Sequence, residues 1–164
     1  MFKNKKYFCG IIASLFLSAT LAQAATVDKT SGVYAIPANG LDKVFILKNT
    51  VDISTAADAD VYQVLKVGTG TLVLNVFTEI VTPNDAASSS AVTIGDGSNV
   101  SGYETSVDMK AVAGTLNKGT STETYINEGG KLYTGEDTID LTFAVTGTNS
   151  AGSVKVKALC VDLN

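Results

Sequence analysis

The stretch TLVLNVFTEIVT, residues Thr71–Thr82, places strand-forming side chains on alternate sides of the chain for twelve residues. A β-strand points successive side chains to opposite faces, whereas a helix repeats every 3.6 residues, so this pattern predicts one long strand. A strand of this length is expected to bend or to carry a β-bulge. In unbroken alternation one face carries Leu72, Leu74, Val76, Thr78 and Ile80, and the other carries Val73, Asn75, Phe77, Glu79 and Val81.

Shorter runs of the same kind recur along the chain between turns rich in glycine and asparagine. They predict further strands at 43–48, 61–67, 91–94, 103–112, 131–133, 140–145 and 153–163. In the last of these runs one face is formed by Val154, Val156, Ala158, Cys160 and Asp162. Outside the N-terminal segment no amphipathic helix of about ten residues is predicted. About eight strands predict an all-β fold, an antiparallel β-sandwich of the jelly-roll-like kind.

The first 24 residues have the three parts of a secretory signal peptide. Lys3, Lys5 and Lys6 precede an apolar run from about Phe8 to Leu21, and Ala22-Gln23-Ala24 places small residues at −3 and −1 of a cut before Ala25. The run is short for a transmembrane anchor, which needs about 20 apolar residues. We therefore expect residues 1–24 to be a signal-peptide-like segment and residues 25–164 to be a single β-sandwich domain, without a membrane anchor in the mature form.

Composition excludes several kinds of chemistry. The chain contains no His, Arg or Trp, so it cannot form a Ser-His-Asp or Cys-His catalytic site or a zinc site of the usual Cys/His kind. After residue 24 it retains nine lysines against 16 acids, a net charge of about −7, which disfavours nucleic acid and anionic lipid as partners. Cys160 would be the one remaining cysteine, and we expect it to be a buried small apolar residue.

The most site-like string is SAVTIGDGSN, residues 90–99. Asp96, Ser98 and Asn99 could supply oxygen ligands to calcium, but Val107 stands at the twelfth position from Asp96, where a calcium loop of the EF-hand type has its bidentate Glu. The glycines do not open a helix, which disfavours phosphate binding. The alternative is structural, with Gly95 and Gly97 in a tight turn after a core strand. We favour this alternative and expect no metal or other cofactor.

Two groups of acids and the tyrosines are weaker candidates. Asp58 with Asp60, and Glu136 and Asp137 with Asp140, stand just before predicted strands and could bridge a cation, although acids at strand entries are usually solvated and discourage edge pairing. The tyrosines could stack on a sugar, but they are scattered over separate strands, which favours packing in the core and at its rim. They are Tyr34, Tyr62, Tyr103, Tyr125 and Tyr133.

Four segments taken in order resemble a family of small all-β structural proteins from tailed-bacteriophage virions, of the head-decoration or fibre type. They are DVYQVLKVGTGTLVLNVFTEIVT at 60–82, VTIGDG at 92–97, GKLY with DTIDLT between 130 and 142, and ALCVDL at 158–163. The resemblance implies a role in assembly and no catalytic residues. The signal-like segment departs from what a virion protein assembled in the cytoplasm would carry.

These observations predict a non-enzymatic structural subunit of a virion or extracellular assembly, which associates with itself or with other structural subunits through apolar faces. The residues expected to matter are Gly95, Gly97, the strand Thr71–Thr82 and the C-terminal strand. The alternative is a secreted bacterial adhesin, pilus or surface-fibre subunit that binds a glycan or a host surface. A carboxylate-dependent hydrolase is a third hypothesis, and it would need paired acids facing one cleft.

Overall fold

The fold was analysed in a computed structural model, which describes residues 24–30 and 43–164. The predicted signal segment up to residue 23 and Tyr34 lie outside the described residues. The strands are β1 (Thr26–Asp28), β2 (Lys43–Asp52), β3 (Val61–Val67), β4 (Thr71–Thr82), β5 (Ser89–Gly95), β6 (Glu104–Asp108), β7 (Leu116–Lys118), β8 (Lys131–Tyr133), β9 (Asp137–Thr146) and β10 (Ser153–Asp162). One short helix, α1 (Thr124–Asn127), precedes β8. No helix in this part of the chain is both long and apolar enough to cross a membrane.

The strands form two five-stranded sheets. The front sheet has the order β1-β3-β9-β5-β6, and the back sheet has the order β2-β10-β4-β7 with β8 also paired to β4. All pairs are antiparallel except β1 with β3, which is parallel. Without β1 and β8, the eight other strands have the order of a jelly roll: β2-β10-β4-β7 in one sheet and β3-β9-β5-β6 in the other. The predicted all-β sandwich is confirmed.

The described residues form ten strands, two more than the eight or so that were predicted. The three-residue strands β1 and β7 were not predicted, since three residues are too few to define a period-two pattern. The predicted strand 103–112 shortens to Glu104–Asp108, after which Met109 turns into the core with none of its surface exposed. The jelly-roll strand β7 forms because β4 offers it a free edge, which only the tertiary fold supplies.

A β-bulge in β4 changes which side chains face the core. Cys160 of β10 lies opposite Val73, but Leu159 lies opposite Asn75, so Leu74 is the extra residue. The bulge was predicted, whereas the unbroken alternation was wrong: Val73 and Val76 both point inward and are at most 1% exposed, while Leu72 lies on the outer face. The inward face predicted for β10 is confirmed for Val154, Val156, Ala158 and Cys160, all completely buried.

A second bulge, between Gln63 and Leu65 of β3, corrects another predicted face. The sequence of this strand, VYQVLKV, predicts that Val61, Leu65 and Val67 share one side of it. In the structure Tyr62, Val64, Leu65 and Val67 are all buried, and Val61 is only half-buried. The extra residue lets β3 turn apolar side chains inward on both sides of the bulge, so the buried residues of the two sheets form one core.

The bulge in β4 generates a test by adjacent substitutions. We expect Val73→Ala to lower the free energy of unfolding by about 2 kcal/mol, because a buried side chain leaves a cavity. Leu72→Ala should cost about 1 kcal/mol or less, although it removes more atoms, because Leu72 is half-exposed. Urea denaturation of both variants measures the difference, and a larger loss for Leu72→Ala would contradict the register.

Candidate functional site: the buried Asp96 cluster

Asp96 follows the last residue of β5 and is buried, with 1% of its surface exposed. Its Oδ1 accepts hydrogen bonds from the backbone N–H groups of Ser98, at 2.8 Å, and Asn99, at 2.9 Å. Its own backbone N–H donates to the carbonyl oxygen of Asn99 at 3.0 Å. An aspartate that accepts backbone N–H groups two and three residues ahead stabilises a tight turn. Asp96 therefore fixes the loop that leaves β5.

Two tyrosine hydroxyls complete the environment of this carboxylate. Tyr125 donates to Oδ1 at 2.9 Å and Tyr133 to Oδ2 at 3.0 Å. The Tyr103 hydroxyl lies 3.1 Å from that of Tyr133, and the Tyr103 and Tyr125 rings meet edge-on with centroids 5.1 Å apart. We call Asp96, Tyr103, Tyr125 and Tyr133 the Asp96 cluster. Its members come from four different parts of the chain and hold the β5 end of the sandwich together.

Tyr125 and Tyr133 are positioned by the secondary-structure elements that carry them. Tyr125 lies on α1, and its backbone N–H donates to the carbonyl oxygen of Gly102 at 3.0 Å. A β-carbon on Gly102 would overlap the Tyr125 ring, so glycine is required for this close approach. Tyr133 ends β8, which is paired to β4. The four-residue helix thus serves to direct one hydroxyl at Asp96.

Burial determines the protonation state of the tyrosines. It is the main cause that raises the pKa of Tyr103, Tyr125 and Tyr133 above the usual value for a phenol, and the nearby Asp96 carboxylate also raises it. The hydroxyls consequently remain protonated in the physiological range and can act as donors. A buried carboxylate needs such donors, because an unsatisfied one would be strongly destabilising.

The hydrogen bonds of Asp96 argue against calcium binding by Asp96, Ser98 and Asn99. Oδ1 of Asp96 already accepts three hydrogen bonds, and Oδ2 accepts one. Ser98 and Asn99 approach Asp96 through their backbone N–H groups, which are donors and repel a cation. In the described residues no group of three or more Cys, Asp or Glu side chains is arranged to hold a metal ion. The contacts of Asp96 favour the structural alternative.

The two glycines beside Asp96 differ in what the structure demands of them. A β-carbon on Gly95 would overlap the carbonyl oxygen of Asn99, whereas one on Gly97 would have no neighbour within 4 Å. Neither glycine has the positive φ that would exclude other residues. The close return of the chain over Gly95, rather than a left-handed turn at Gly97, makes glycine necessary here.

Asp140 of β9 lies next to the cluster, paired with Gly95 across the front sheet. It is 6% exposed, and its Oδ1 accepts a 2.7 Å hydrogen bond from the hydroxyl of Thr138. Burial raises the pKa of Asp140 to about 6; the Thr138 hydrogen bond opposes this shift, and the carboxylates of Asp137 and Asp96 add to it. At neutral pH the ionised Asp140 carboxylate therefore lowers the stability of the folded protein.

The other predicted acids have separate structural partners. Asp58 is exposed and accepts the backbone N–H of Val145, and Asp60 is buried and accepts those of Ala25 and Ala57. Glu136 forms an exposed ion pair with Lys66 at 3.0 Å. The expectation that these acids are solvated is wrong for Asp60 and Asp140, which are 7% and 6% exposed.

The tyrosines that the structure describes lie in the core, as the packing alternative predicted. Tyr62, Tyr103, Tyr125 and Tyr133 are at most 5% exposed, so these four pack in the core and offer no face to a sugar. What the sequence did not reveal was their connection to Asp96. Tyr125 and Tyr133 are 29 and 37 residues from it, and no local spacing signals such a pairing.

Comparison with known proteins places this fold. No protein-family model and no curated protein sequence matches the chain. Among solved structures it is similar to a chain of the cyanophage Pam1 capsid asymmetric unit, at 20% identity and a TM-score of 0.60, covering 79% of this chain and 92% of that one. It is also similar to a chain of the Ralstonia phage GP4 capsid, at 10% identity and a TM-score of 0.57, covering 83% and 98%.

A third similar chain belongs to the acid-stable capsid structure of Helicobacter pylori bacteriophage KHP30, at 14% identity and a TM-score of 0.53, covering 80% of this chain and 91% of that one. At these identities the likeness establishes the fold, a jelly-roll-like sandwich that also occurs in phage capsids. It agrees at that level with the resemblance to virion proteins found in the sequence. Since nearly all of each capsid chain is covered, the sandwich makes up almost the whole of each neighbour.

Substitution of the two glycines tests the loop. We expect Gly95→Ala to lower the free energy of unfolding by about 3 kcal/mol or more, because the added methyl group displaces the backbone at Asn99. Gly97→Ala is the matched control and should change it by less than about 1 kcal/mol. Thermal and urea denaturation measure both, and equal losses would contradict the close approach at Gly95.

Asp140 generates a pH prediction. The Asp140 carboxyl has a pKa of about 6 in the folded protein and the ordinary value of 3.8 in the unfolded chain. Between these two pH values the folded protein therefore binds a proton at Asp140 that the unfolded chain has released. The wild type should therefore gain stability as the pH falls from about 6 to 4, and this gain is absent at neutral pH. Asp140→Asn should be more stable than the wild type at pH 7 by roughly 1 to 3 kcal/mol, and the difference should shrink toward pH 4. Denaturation at each pH measures it, with exposed Asp108→Asn as control; a constant difference would contradict the assignment.

Proposed function

We infer that the protein is a non-enzymatic structural subunit of a phage capsid, of the decoration type, which attaches to another capsid subunit through the outer side of its back sheet. The fold likeness to chains of three phage capsids supports a virion role. The single observation that carries the mode of attachment is the difference between the two outer faces of the sandwich.

The back outer face consists of the back-sheet side chains that point away from the core. Its first row across the sheet is Val44, Val161, Leu72 and Leu132, which are successive partners on β2, β10, β4 and β8. Its second row contains Ile46 and Leu159 beside Asn75. Val44 and Ile46 are 59% and 54% exposed. A contiguous exposed apolar area of this kind marks a protein contact.

Lysines lie directly beside these apolar rows. The third row is Lys48, Lys157, Phe77 and Lys118, and Lys155 follows in the fourth row. Glu79 forms ion pairs with Lys157 at 2.9 Å and with Lys155 at 3.2 Å. Four of the nine lysines after residue 24 thus share one face of an otherwise acidic chain. The complementary partner surface has an apolar centre flanked by carboxylates.

The front outer face has a different character. Thr138, Thr142, Ala144 and Thr146 of β9 alternate with its buried side chains, and their neighbours on β5 include Ala91 and Thr93. In the described residues no strand of the front sheet carries a large apolar side chain that is exposed. We assign this polar face to solvent.

Charge favours a different capsid subunit over a second copy as the occupant of the back outer face, and its size allows a specific contact. Three strands of about ten residues and the short strands β7 and β8, at about 3.3 Å per residue and about 4.8 Å apart, give an area of about 600 Å². The contact would then bury about 1,200 Å² in total, the lower limit for a specific interface. Two copies meeting through this same face would place the lysine-bearing rows of both copies, with Lys48 and Lys118, in one interface, and like charges disfavour that contact.

Purified particles test the function. We expect mass spectrometry of gradient-purified particles, from the genome that encodes the chain, to detect the protein at a fixed ratio to the main capsid subunit. Particles lacking the gene should rebind added wild-type protein. Absence of the protein from particles, with recovery from the medium or the cell surface instead, would contradict the virion role and support the adhesin alternative.

Rebinding of variants tests the face separately. Ile46→Glu and Lys48→Glu should each weaken rebinding at least tenfold, because one buries a carboxylate and the other reverses a complementary charge. Thr146→Glu on the front outer face is the matched control and should bind like the wild type. If wild-type protein rebinds but only Thr146→Glu fails, the virion role stands and the proposed face is wrong. A dimer of the isolated wild type that Ile46→Glu abolishes would assign the face to a second copy.

A further inference from the structure

Asp60 is a buried carboxylate without a cationic partner among the described residues. It is 7% exposed, and each of its oxygens accepts one backbone N–H group. Oδ1 accepts that of Ala25 and Oδ2 that of Ala57, both at 2.9 Å. In the part of the chain that the structure describes, none of the lysine–carboxylate pairs within 4 Å involves Asp60. A carboxylate in such a place is better stabilised by a positive charge than by neutral donors.

Among the described residues, Ala25 is the first that hydrogen-bonds to the sheet. Its carbonyl oxygen accepts the backbone N–H of Val61 at 2.8 Å, and β1 begins at the next residue. The preceding Ala24 is exposed. The sequence places the cut of the signal-like segment between these two alanines, after Ala22-Gln23-Ala24. The backbone nitrogen of Ala25, which the expected cut would release as a new N-terminus, is therefore the atom that hydrogen-bonds to the Asp60 carboxylate.

We propose that the chain is cut between Ala24 and Ala25, and that the α-ammonium group so released forms an ion pair with Asp60 that fastens β1 to β3. Hydrolysis breaks the peptide C–N bond: water gives its hydroxyl group to the Ala24 carbonyl carbon and a proton to the Ala25 nitrogen, which takes a second proton from solvent at neutral pH. The agent is a leader-removing protease that accepts small residues at −1 and −3. Cleavage replaces a neutral donor with a charged one, so it strengthens a contact already in place.

The ion pair has a distinctive pH dependence. An α-amino group ordinarily has a pKa of about 8, and a neighbouring carboxylate raises it in the folded state. The stabilisation is complete below the unfolded value and is lost as the pH rises through the folded one. Other charged groups on the elements around Ala25 are Asp58 in the same turn, Asp28 and Lys29 at the end of β1, Lys66 on β3, and Asp137 and Asp140 on β9. The Ala25 nitrogen donates its hydrogen bond to Asp60.

The cleavage point is tested on protein made from the full gene in a secreting bacterium and on the native protein. Intact mass and N-terminal sequencing should show a chain that begins at Ala25. A retained Met1, or a cut at any other bond, would overturn the proposal. Ala24→Tyr, which blocks cleavage at this bond, provides the uncut protein for comparison.

Thermal denaturation between pH 7 and 9.5 tests the ion pair. The cut wild type should melt about 3 to 6 °C above cut Asp60→Asn at pH 7, and the difference should shrink toward pH 9.5. Asp58→Asn, in the same turn, is the matched control and should keep the pH dependence of the wild type. The uncut Ala24→Tyr protein should lack it. Equal pH dependence in the wild type and Asp60→Asn would overturn the ion pair.

A measurement on the wild type alone covers the case in which Asp60→Asn does not fold. Acylation of the Ala25 α-amino group at pH 7.5, followed by mass spectrometry, should be at least threefold slower in the folded protein than in the same protein unfolded in urea. Equal rates would overturn the proposal. None of these outcomes depends on the virion role, because they concern the protein whether or not it joins a particle.

Discussion

One β-bulge sets the arrangement of the whole back sheet. Where β4 passes the C-terminal half of β10, the extra residue Leu74 lets Val73 and Val76 both enter the core. The same shift turns Leu72 outward, beside Val161 and Leu132. Because β4 and β10 are the two central strands, this irregularity fixes both what the core contains and what the sandwich shows to a partner. The apolar rows of the back outer face follow from it.

The Asp96 cluster stabilises the loop at the buried end of β5. β5 stops at Gly95, and the chain must turn away while its polar groups remain buried. One carboxylate satisfies two backbone N–H groups and two tyrosine hydroxyls, and the pairing joins β5, α1 and β8. A fully satisfied buried network of this kind favours one loop conformation over its competitors. The Asp96 carboxylate and the tyrosine hydroxyls therefore stabilise this end of the fold.

Much of the fold could be predicted from the sequence, because alternation records which side of a strand is buried. The all-β sandwich, the inward face of β10, the bulge in β4 and the buried Cys160 all follow from local pattern. β7 could not be predicted, since three residues carry no period and the strand exists only because β4 offers it an edge. The partners of Asp96 and Asp60 lie far along the chain or at a backbone nitrogen, so residue type and spacing do not reveal them.

The position of β10 has a consequence for how the protein is made. The strand β10, Ser153–Asp162, follows the other nine described strands in the sequence and lies between β2 and β4, so the central pairing of the back sheet cannot form until β10 has been made. Contacts between segments so distant in sequence form slowly, because a large loop must close before they contribute. A nascent or truncated chain would leave β2 and β4 as open edges that other chains can pair with. The back sheet therefore forms late in folding, because β2 and β4 are joined only when β10 lies between them.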